Sequence, residues 1–533
     1  MNQRMQCPDA IPSRDNANNE ANDREEVFPL SKVDANSHLT SGRLLARNTM
    51  WNLAGQILPM IVGIVTIPVI IRVMGVERFG VLSLAWVVVG YFSLFDFGIG
   101  RALTKLVADK LGADEERAIG PLAWTSLLIM LVFGIFGTIV TLFISPLLVH
   151  RLLKIPQALQ HETLLGFYLL AVSIPIVTLT AGFRGILEAL QQFRPVNLIR
   201  LPMSVLSFAV PLLVFPFSHG LVPVVAVLVI GRVVGCGAYV YACFKTVPSL
   251  RGDDWFDSSF VLPLFRFGGW MTVNNLVGPL MFYLDRFLVG ALLSVSAVAY
   301  YTTPVDMMLR LTVIPNAVVG VLFPAFAVSL SQDPDRTALL LARAFKYICL
   351  ILFPVALIAV AFAPEGLRLW LGTTFSAEGT VVLRLTAAGV FVNSLAILPF
   401  VLIQSAGRPD ITAWMLIAEL PAYGIVLLYL TRWLGVEGTA IAWTGRISVE
   451  AAVLFFVSHR ILPQRSYSVR RLVAVVLAGL TILYAASVLN DFGTKIGFVG
   501  VVLISFAMTV WFWALGPDER HFLGALVDAS TRN

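Results

Sequence analysis

From residue 49 to residue 516 the chain is a series of apolar runs, each close to the length of a membrane crossing, with charged positions gathered mainly in the gaps. The runs are continuous rather than alternating. That predicts helices, because strands of a membrane barrel alternate apolar and polar residues, and lipid offers an open backbone no hydrogen-bond partner. A helical crossing needs about 20 apolar residues. On that measure the sequence predicts fourteen spans, at 49–73, 79–100, 121–148, 163–186, 196–217, 221–244, 267–291, 295–329, 344–363, 381–404, 411–431, 438–458, 471–489 and 496–516. The eighth run is long, and Pro304, Pro315 and Pro324 are expected to kink it. Residues 1–40 break the pattern: rich in Asn, Asp, Glu and Ser, they carry too little apolar surface to bury a core and are expected to be disordered.

Composition agrees with the pattern. The 533 residues are 58% hydrophobic and 13% charged, where a water-soluble chain carries roughly 25% charged residues. The net charge of +6 follows from topology. Loops after even-numbered spans hold eighteen Lys and Arg, among them Arg101, Lys105, Arg194, Arg251 and Arg470, against eight in the loops after odd-numbered spans. Cytoplasmic loops carry the excess of Lys and Arg, so the even loops and both termini are expected inside. The odd loops are too short to hold a catalytic domain. No basic stripe carries interleaved aromatics, which argues against a nucleic-acid partner.

The first half reads as a copy of the second. A shift of 219 residues sets Arg47-Asn-Thr-Met-Trp51 on Arg266-Phe-Gly-Gly-Trp270, Gln56 on Asn275, Met74-Gly75-Val76 on Leu293-Ser294-Val295, and Phe79-Gly80-Val81 on Val298-Ala299-Tyr300. A shift of 214 sets Arg194-Pro195 on Arg408-Pro409, and one of 218 sets Ser145-Pro146 on Ala363-Pro364. Six spans separate the repeat starts, so the copies have the same orientation. Such a parallel repeat is related by an axis along the membrane normal, and spans thirteen and fourteen are an appendage to it.

Three stretches carry a family resemblance. Arg47-Asn48-x-x-Trp51-Asn52 through Arg72-Val-Met-Gly75-Val-Glu77-Arg78-Phe79-Gly80 resembles the opening of bacterial polysaccharide (Wzx-type) flippases. Asp96-Phe97-Gly98-Ile99-Gly100 is similar to that family's element closing span two, and Gln404-Ser405-Ala406-Gly407-Arg408 to its element after span ten. The likeness covers about residues 43–460 and places the chain in the multidrug/oligosaccharidyl-lipid/polysaccharide exporter superfamily. It implies an all-α polytopic membrane protein of about fourteen helices, with two six-helix lobes in parallel pseudo-repeat (MATE-like) around a central cavity and two further C-terminal helices. The expected divisions are a cytoplasmic tail at 1–42, lobes at 43–250 and 251–462, extra helices at 463–516 and a cytoplasmic tail at 517–533. The resemblance also implies translocation of undecaprenyl-diphosphate-linked sugar repeat units across the bacterial cytoplasmic membrane for O-antigen, capsule or exopolysaccharide. Partners would be membrane lipids, a polysaccharide polymerase and glycosyltransferases, with no cofactor and either H+ or Na+ as coupling ion.

Ionisable groups inside spans are costly and mark candidate sites. Asp285 and Arg286 lie deep in span seven. Asp306 and Arg310, at i,i+4 in span eight, can pair along one helix face. These four either tie spans seven and eight together or line a cavity. Arg286 and Arg310 could hold a diphosphate or acidic sugar by forked hydrogen bonds, and Asp285 or Asp306 could respond to a coupling ion. Asn48, Asn52 and Gln56 recur along span one, and Asn274 and Asn275 open polar faces of span seven; interhelical hydrogen bonding is the competing role. Arg232 sits in Gly231-Arg-Val-Val-Gly235, a spacing that usually marks close packing. Glu419, beside Pro421, reads as a lone carboxylate and a proton-site candidate, or as a hydrogen-bonded core residue. Arg446 and Glu450 read as a structural i,i+4 pair, and Asp96 with Arg101 as a local ion pair or gate.

Several chemistries are excluded. The chain has no phosphate-binding Gly-x-x-x-x-Gly-Lys-Ser/Thr loop and no His-Glu-x-x-His, and its six histidines are scattered over loops and ends. Its four cysteines form no Cys-x-x-Cys pair, so neither a metal site nor a disulfide is expected. Rival readings are a drug or cation antiporter of the same superfamily, a membrane polymerase, ligase or glycosyltransferase, and a structural scaffold. An antiporter would favour a carboxylate-lined aromatic cavity; an enzyme would need a large outer loop.

Overall fold

The computed structural model describes residues 42–113, 115–190, 192–218, 220–252, 255–462 and 469–514. The tails expected at 1–42 and 517–533 lie almost wholly outside them. The chain divides into two units, Met1–Met50 and Trp51–Asn533, and carries the packing and sites described below in the second; its first described helix starts in the first. Its helices are α1 (Gly42–Met74), α2 (Val76–Tyr91), α3 (Ile99–Gly112), α4 (Ile119–Leu147), α5 (Gln157–Val172), α6 (Ile174–Ala189), α7 (Phe193–Val214), α8 (Leu221–Thr246), α9 (Val261–Leu292), α10 (Val295–Leu309), α11 (Val313–Gln332), α12 (Pro334–Ala361), α13 (Ala363–Leu371), α14 (Thr373–Ser405), α15 (Pro409–Ile461), α16 (Val469–Val488) and α17 (Phe492–Thr509).

Nine helical stretches among the described residues are long and apolar enough to cross a membrane. They account for expected spans three to six and nine to fourteen, because Asp410–Ile461 holds two of them. Their outer faces suit lipid and not water: Phe143 is 80% exposed and Ile425 70%, and exposed apolar surface on this scale marks a membrane or an interface.

Four elements depart from the pattern read in the sequence. Span two is not continuous: α2 stops at Tyr91, a 3-10 turn covers Phe92–Asp96, and α3 carries Arg101, Lys105 and Lys110 on a helix instead of a loop. Span four breaks at Ser173, before Pro175. The long eighth run is divided by a 3-10 turn at Arg310–Thr312, so α11 opens just before Pro315, whose missing N–H is tolerated in a first turn. Spans eleven and twelve need no loop. Gly435, at φ 62° and ψ −139°, alone interrupts α15. That conformation is essentially confined to glycine, and Thr431 and Thr439 meet across the break at 2.9 Å.

Prolines leave a second signature. Each lacks an N–H, so the carbonyl four residues before it loses its helical donor. Pro68, Pro175 and Pro364 free the carbonyls of Ile64, Ala171 and Val360. Trp370 Nε1 donates to Ile64 at 2.7 Å, Thr138 Oγ1 to Ala171 at 2.9 Å and Arg384 Nε to Val360 at 3.2 Å. In each case the donor comes from a different helix, so a local defect becomes a cross-link.

Apolar packing falls into distinct clusters. One joins α3, α4, α6 and α8 around Leu122, Met130 and Ile186. A second joins α12, α14 and α15 with α16 and α17 around Phe345, Phe391 and Leu454. A third joins both halves of the chain, bringing Phe79 and Leu82 of α2 together with Val298, Tyr301 and Val305 of α10. Lipid removes most of the hydrophobic drive between helices, so close backbone approach over small residues matters more. At Gly80 a Cβ would sit 1.9 Å from the Val295 carbonyl oxygen, so only glycine lets α2 meet the start of α10. The two appended helices are pinned by Lys495 of α17, 2% exposed, which reaches Glu365 of α13 at 2.6 Å.

Candidate functional site

The candidate site grows from the α9–α10 hairpin. Asp285 is 1% exposed and Arg286 5%. Tyr301 Oη donates to Asp285 Oδ2 at 2.6 Å, and the Arg286 amide donates to its Oδ1 at 2.7 Å, so this carboxylate is fixed on both oxygens. The Arg286 guanidinium turns the other way. It pairs with Asp306 and lies over the rings of Phe282 and Tyr283 at 5.2 and 5.3 Å. The expected pairing of Asp306 with Arg310 is not made. Because α10 ends at Leu309, Arg310 enters the 3-10 turn and swings onto Phe208 of α7, 5.1 Å from its ring.

Arg286, Asp306 and Arg310, with Phe208, Phe282 and Tyr283, line a cavity of about 340 Å³ between α2, α7, α9 and α10, together with Ser83, Trp86, Ser207 and Thr302, while Asp285 and Tyr301 lie behind its wall. Its walls leave hydrogen-bonding capacity unused. Trp86 Nε1, Arg286 Nε and the Thr302 hydroxyl in the wall, and the Thr303 hydroxyl next to it, are buried without a partner among the described residues. An unpaired buried donor costs about 1–3 kcal/mol, and all but the hydroxyls here can only donate. Such a wall suits an acceptor-rich, anionic group.

A larger cavity, about 800 Å³, lies among α2, α3, α6, α7 and α8 and shares Ser207 with the first. Arg101, Arg184, Arg200 and Arg232 line it, with Asp96 and Glu188. Two of these groups are tied locally: Glu188 sits 3.5 Å from Arg184, and Asp96 accepts the Gly98 amide at 2.8 Å. Arg232 donates to Ser173 Oγ at 2.9 Å, so it faces the cavity wall and is not lost in a small-residue packing seam.

The remaining sequence candidates lie elsewhere or cannot be placed. Asn52 and Gln56 on α1, and Asn274 and Asn275 on α9, have side chains outside the described residues. Glu419 is not a lone carboxylate. It lies 3.4 Å from Arg446, which also holds Glu450 at 3.1 Å and stacks on Tyr423. The break at Gly435 folds α15 back on itself and brings the Arg446 turn beside Glu419. Trp86, Phe208, Tyr301 and Thr302 were not legible as site residues, because an aromatic or threonine in an apolar run carries no sign of what it faces. Arg184 and Arg200 were legible only as loop charges.

Residues 45–330 match the polysaccharide biosynthesis protein family. A putative O-antigen transporter of Shigella flexneri is 31% identical over 422 residues, covering 77% of this chain and 96% of the relative. The succinoglycan biosynthesis transport protein ExoT of Rhizobium meliloti is 22% identical, covering 70% and 72%. Among solved structures, an inward-facing multidrug resistance MATE family transporter aligns with a TM-score of 0.66 at 16% identity, over 78% of this chain and 94% of that one. The lipid II flippase MurJ, in an inward closed conformation, aligns with a TM-score of 0.64 at 13% identity, over 87% and 98%. These structures show the shared fold. The chain belongs to the polysaccharide biosynthesis protein family.

Proposed function

We propose that the protein translocates undecaprenyl-diphosphate-linked oligosaccharide repeat units across the bacterial cytoplasmic membrane, for assembly of a surface polysaccharide. The observation that carries this reading is the pair of adjoining cavities, both lined by arginine, in a chain whose Shigella relative is a putative O-antigen transporter. An arginine held at the centre of a membrane helix costs about 2.5–3.5 kcal/mol on insertion scales. Arginines gathered where two cavities adjoin offset that cost through an anionic cargo. The smaller cavity has the charge for a diphosphate and the larger has the room for several sugars, while the polyprenyl tail stays in lipid.

Alternating access follows from the same arrangement. The two halves are lobes, at 43–250 and 251–462, that rock about their shared seam at Gly80 and Val295. Loop charge sets that seam on the outer side, with both termini in the cytoplasm. A drug or cation antiporter on this fold would want carboxylates free in the cavity. Here Asp285 is locked, and Asp306 is engaged by arginine.

The test is genetic and biochemical. Loss of the protein from its host should leave lipid-linked repeat units on the cytoplasmic leaflet and strip the surface polymer. Normal polymer with altered dye efflux would overturn the reading. Arg286→Ala and Arg310→Ala should each reduce polymer export at least tenfold at unchanged protein level, and normal export by both would remove the cationic cavity from the mechanism.

A further inference from the structure

The two carboxylates of the hub are held very differently. Asp285 has both oxygens occupied and is closed off from the cavity. Asp306 faces the cavity, its side chain 44% exposed, and its one hydrogen bond among the described residues is to Arg286. Arg310, one turn along, has no carboxylate partner among the described residues and lies on Phe208. Arg286 is nearly buried, with Nε still unpaired. Around this pair stand the unpartnered Trp86 Nε1 and Thr302 hydroxyl. A fixed acid therefore sits behind the arginine, and a half-exposed acid sits in front of it, where a cargo anion would have to bind.

From this geometry we infer that Asp306 is a placeholder: it occupies the anion position of Arg286 while no cargo is present and competes with the cargo for it. The inference rests on the anionic-cargo reading above and adds a role to a residue that does not itself bind cargo. A diphosphate offers more acceptor oxygens than one carboxylate, so it can take Arg286 together with Arg310, Trp86 Nε1 and Thr302. Asp306, its side chain already 44% exposed to the cavity, is free to turn away from Arg286 once the diphosphate holds it. Its return to Arg286 then expels the cargo, so the competitor lowers affinity and speeds release. The end of α10 suits this exchange, because helix gives way to a 3-10 turn at Arg310 and the chain there is not held by a continuous helical ladder.

The experiment measures binding of farnesyl diphosphate to the purified full-length protein by calorimetry, with farnesol as the phosphate-free control, alongside polymer export in cells. Asp306→Asn and Asp306→Ser should each bind farnesyl diphosphate at least tenfold more tightly than wild type, yet export at least fivefold less polymer. Asp306→Glu, which keeps a competitor, should stay within threefold of wild type in both. Either neutral variant that retains a wild-type melting profile suffices for the comparison. Unchanged or weaker binding by the neutral variants, with wild type binding and Arg286→Ala not, overturns the placeholder and leaves the anionic cavity standing. Failure of wild type itself to bind farnesyl diphosphate overturns both. If neither neutral variant folds, Asp306 is a structural tie and the placeholder role falls.

Discussion

Arg446 shows how far one side chain can govern this protein. It pairs with both Glu419 and Glu450, which are mostly buried, and it is itself capped by Tyr423. Removing one partner of a buried ion pair typically costs about 3–5 kcal/mol, because the remaining charge is stranded. Arg446→Leu should therefore lower thermal stability in detergent strongly, and adding Glu419→Gln and Glu450→Gln to that chain should recover most of the loss. A melting temperature unmoved by Arg446→Leu alone would show that the cluster carries no such stability. At this scale the sequence was informative about identity and not about partnership. Asp285, Arg286, Asp306, Arg310 and Glu419 stood out because charge is rare in apolar runs. Their partners did not, since Asp306 had a plausible mate at i,i+4 and took another from a different helix. The 3-10 turn that decides the matter depends on how α10 meets α7, which no local spacing encodes.

Among the elements, prolines do more than bend helices. The link from Thr138 to the Ala171 carbonyl exists because Pro175 cannot donate to it. Thr138→Val should destabilise the protein by about 0.5–1.5 kcal/mol, in the range of hydrogen bonds measured between membrane helices. Pro175→Ala in the same chain should cancel part of that loss, because the new alanine would supply the missing N–H. Additive effects of the two substitutions on unfolding would count against the cross-link. The positions of most helices were legible from apolar run length, and the prolines marked where continuity fails. The single-residue break at Gly435 was not legible, because Leu434-Gly435-Val436 reads like the edge of an ordinary loop.

For the whole molecule, orientation is the property on which the mechanism turns. Cysteines placed singly in a chain free of native cysteine report it. Thr373→Cys, at the start of α14 after the ninth span, should react with an impermeant maleimide in intact cells. Gly252→Cys, in the connection after the sixth, should react only after the membrane is permeabilised. The opposite pattern would invert the chain and the direction of transport with it. The expected division into lobes rests in the sequence on an ordered set of matching turns, and Gly80 and Val295, each from one of those turns, lie in contact in the structure.

That contact has an electrical meaning. Gly80 lies about 9 Å along α2 from Trp86, and Val295 about 16 Å along α10 from Asp306, at the rise of an α-helix. Two to three helical turns therefore separate the charged chamber from the point where backbone meets backbone. A chamber able to admit a hydrated sugar chain would short-circuit the membrane voltage if it were ever open at both ends. A side chain as small as a methyl at residue 80 would wedge this insulating joint apart, and the first symptom would be leakage of small ions ahead of any defect in polymer.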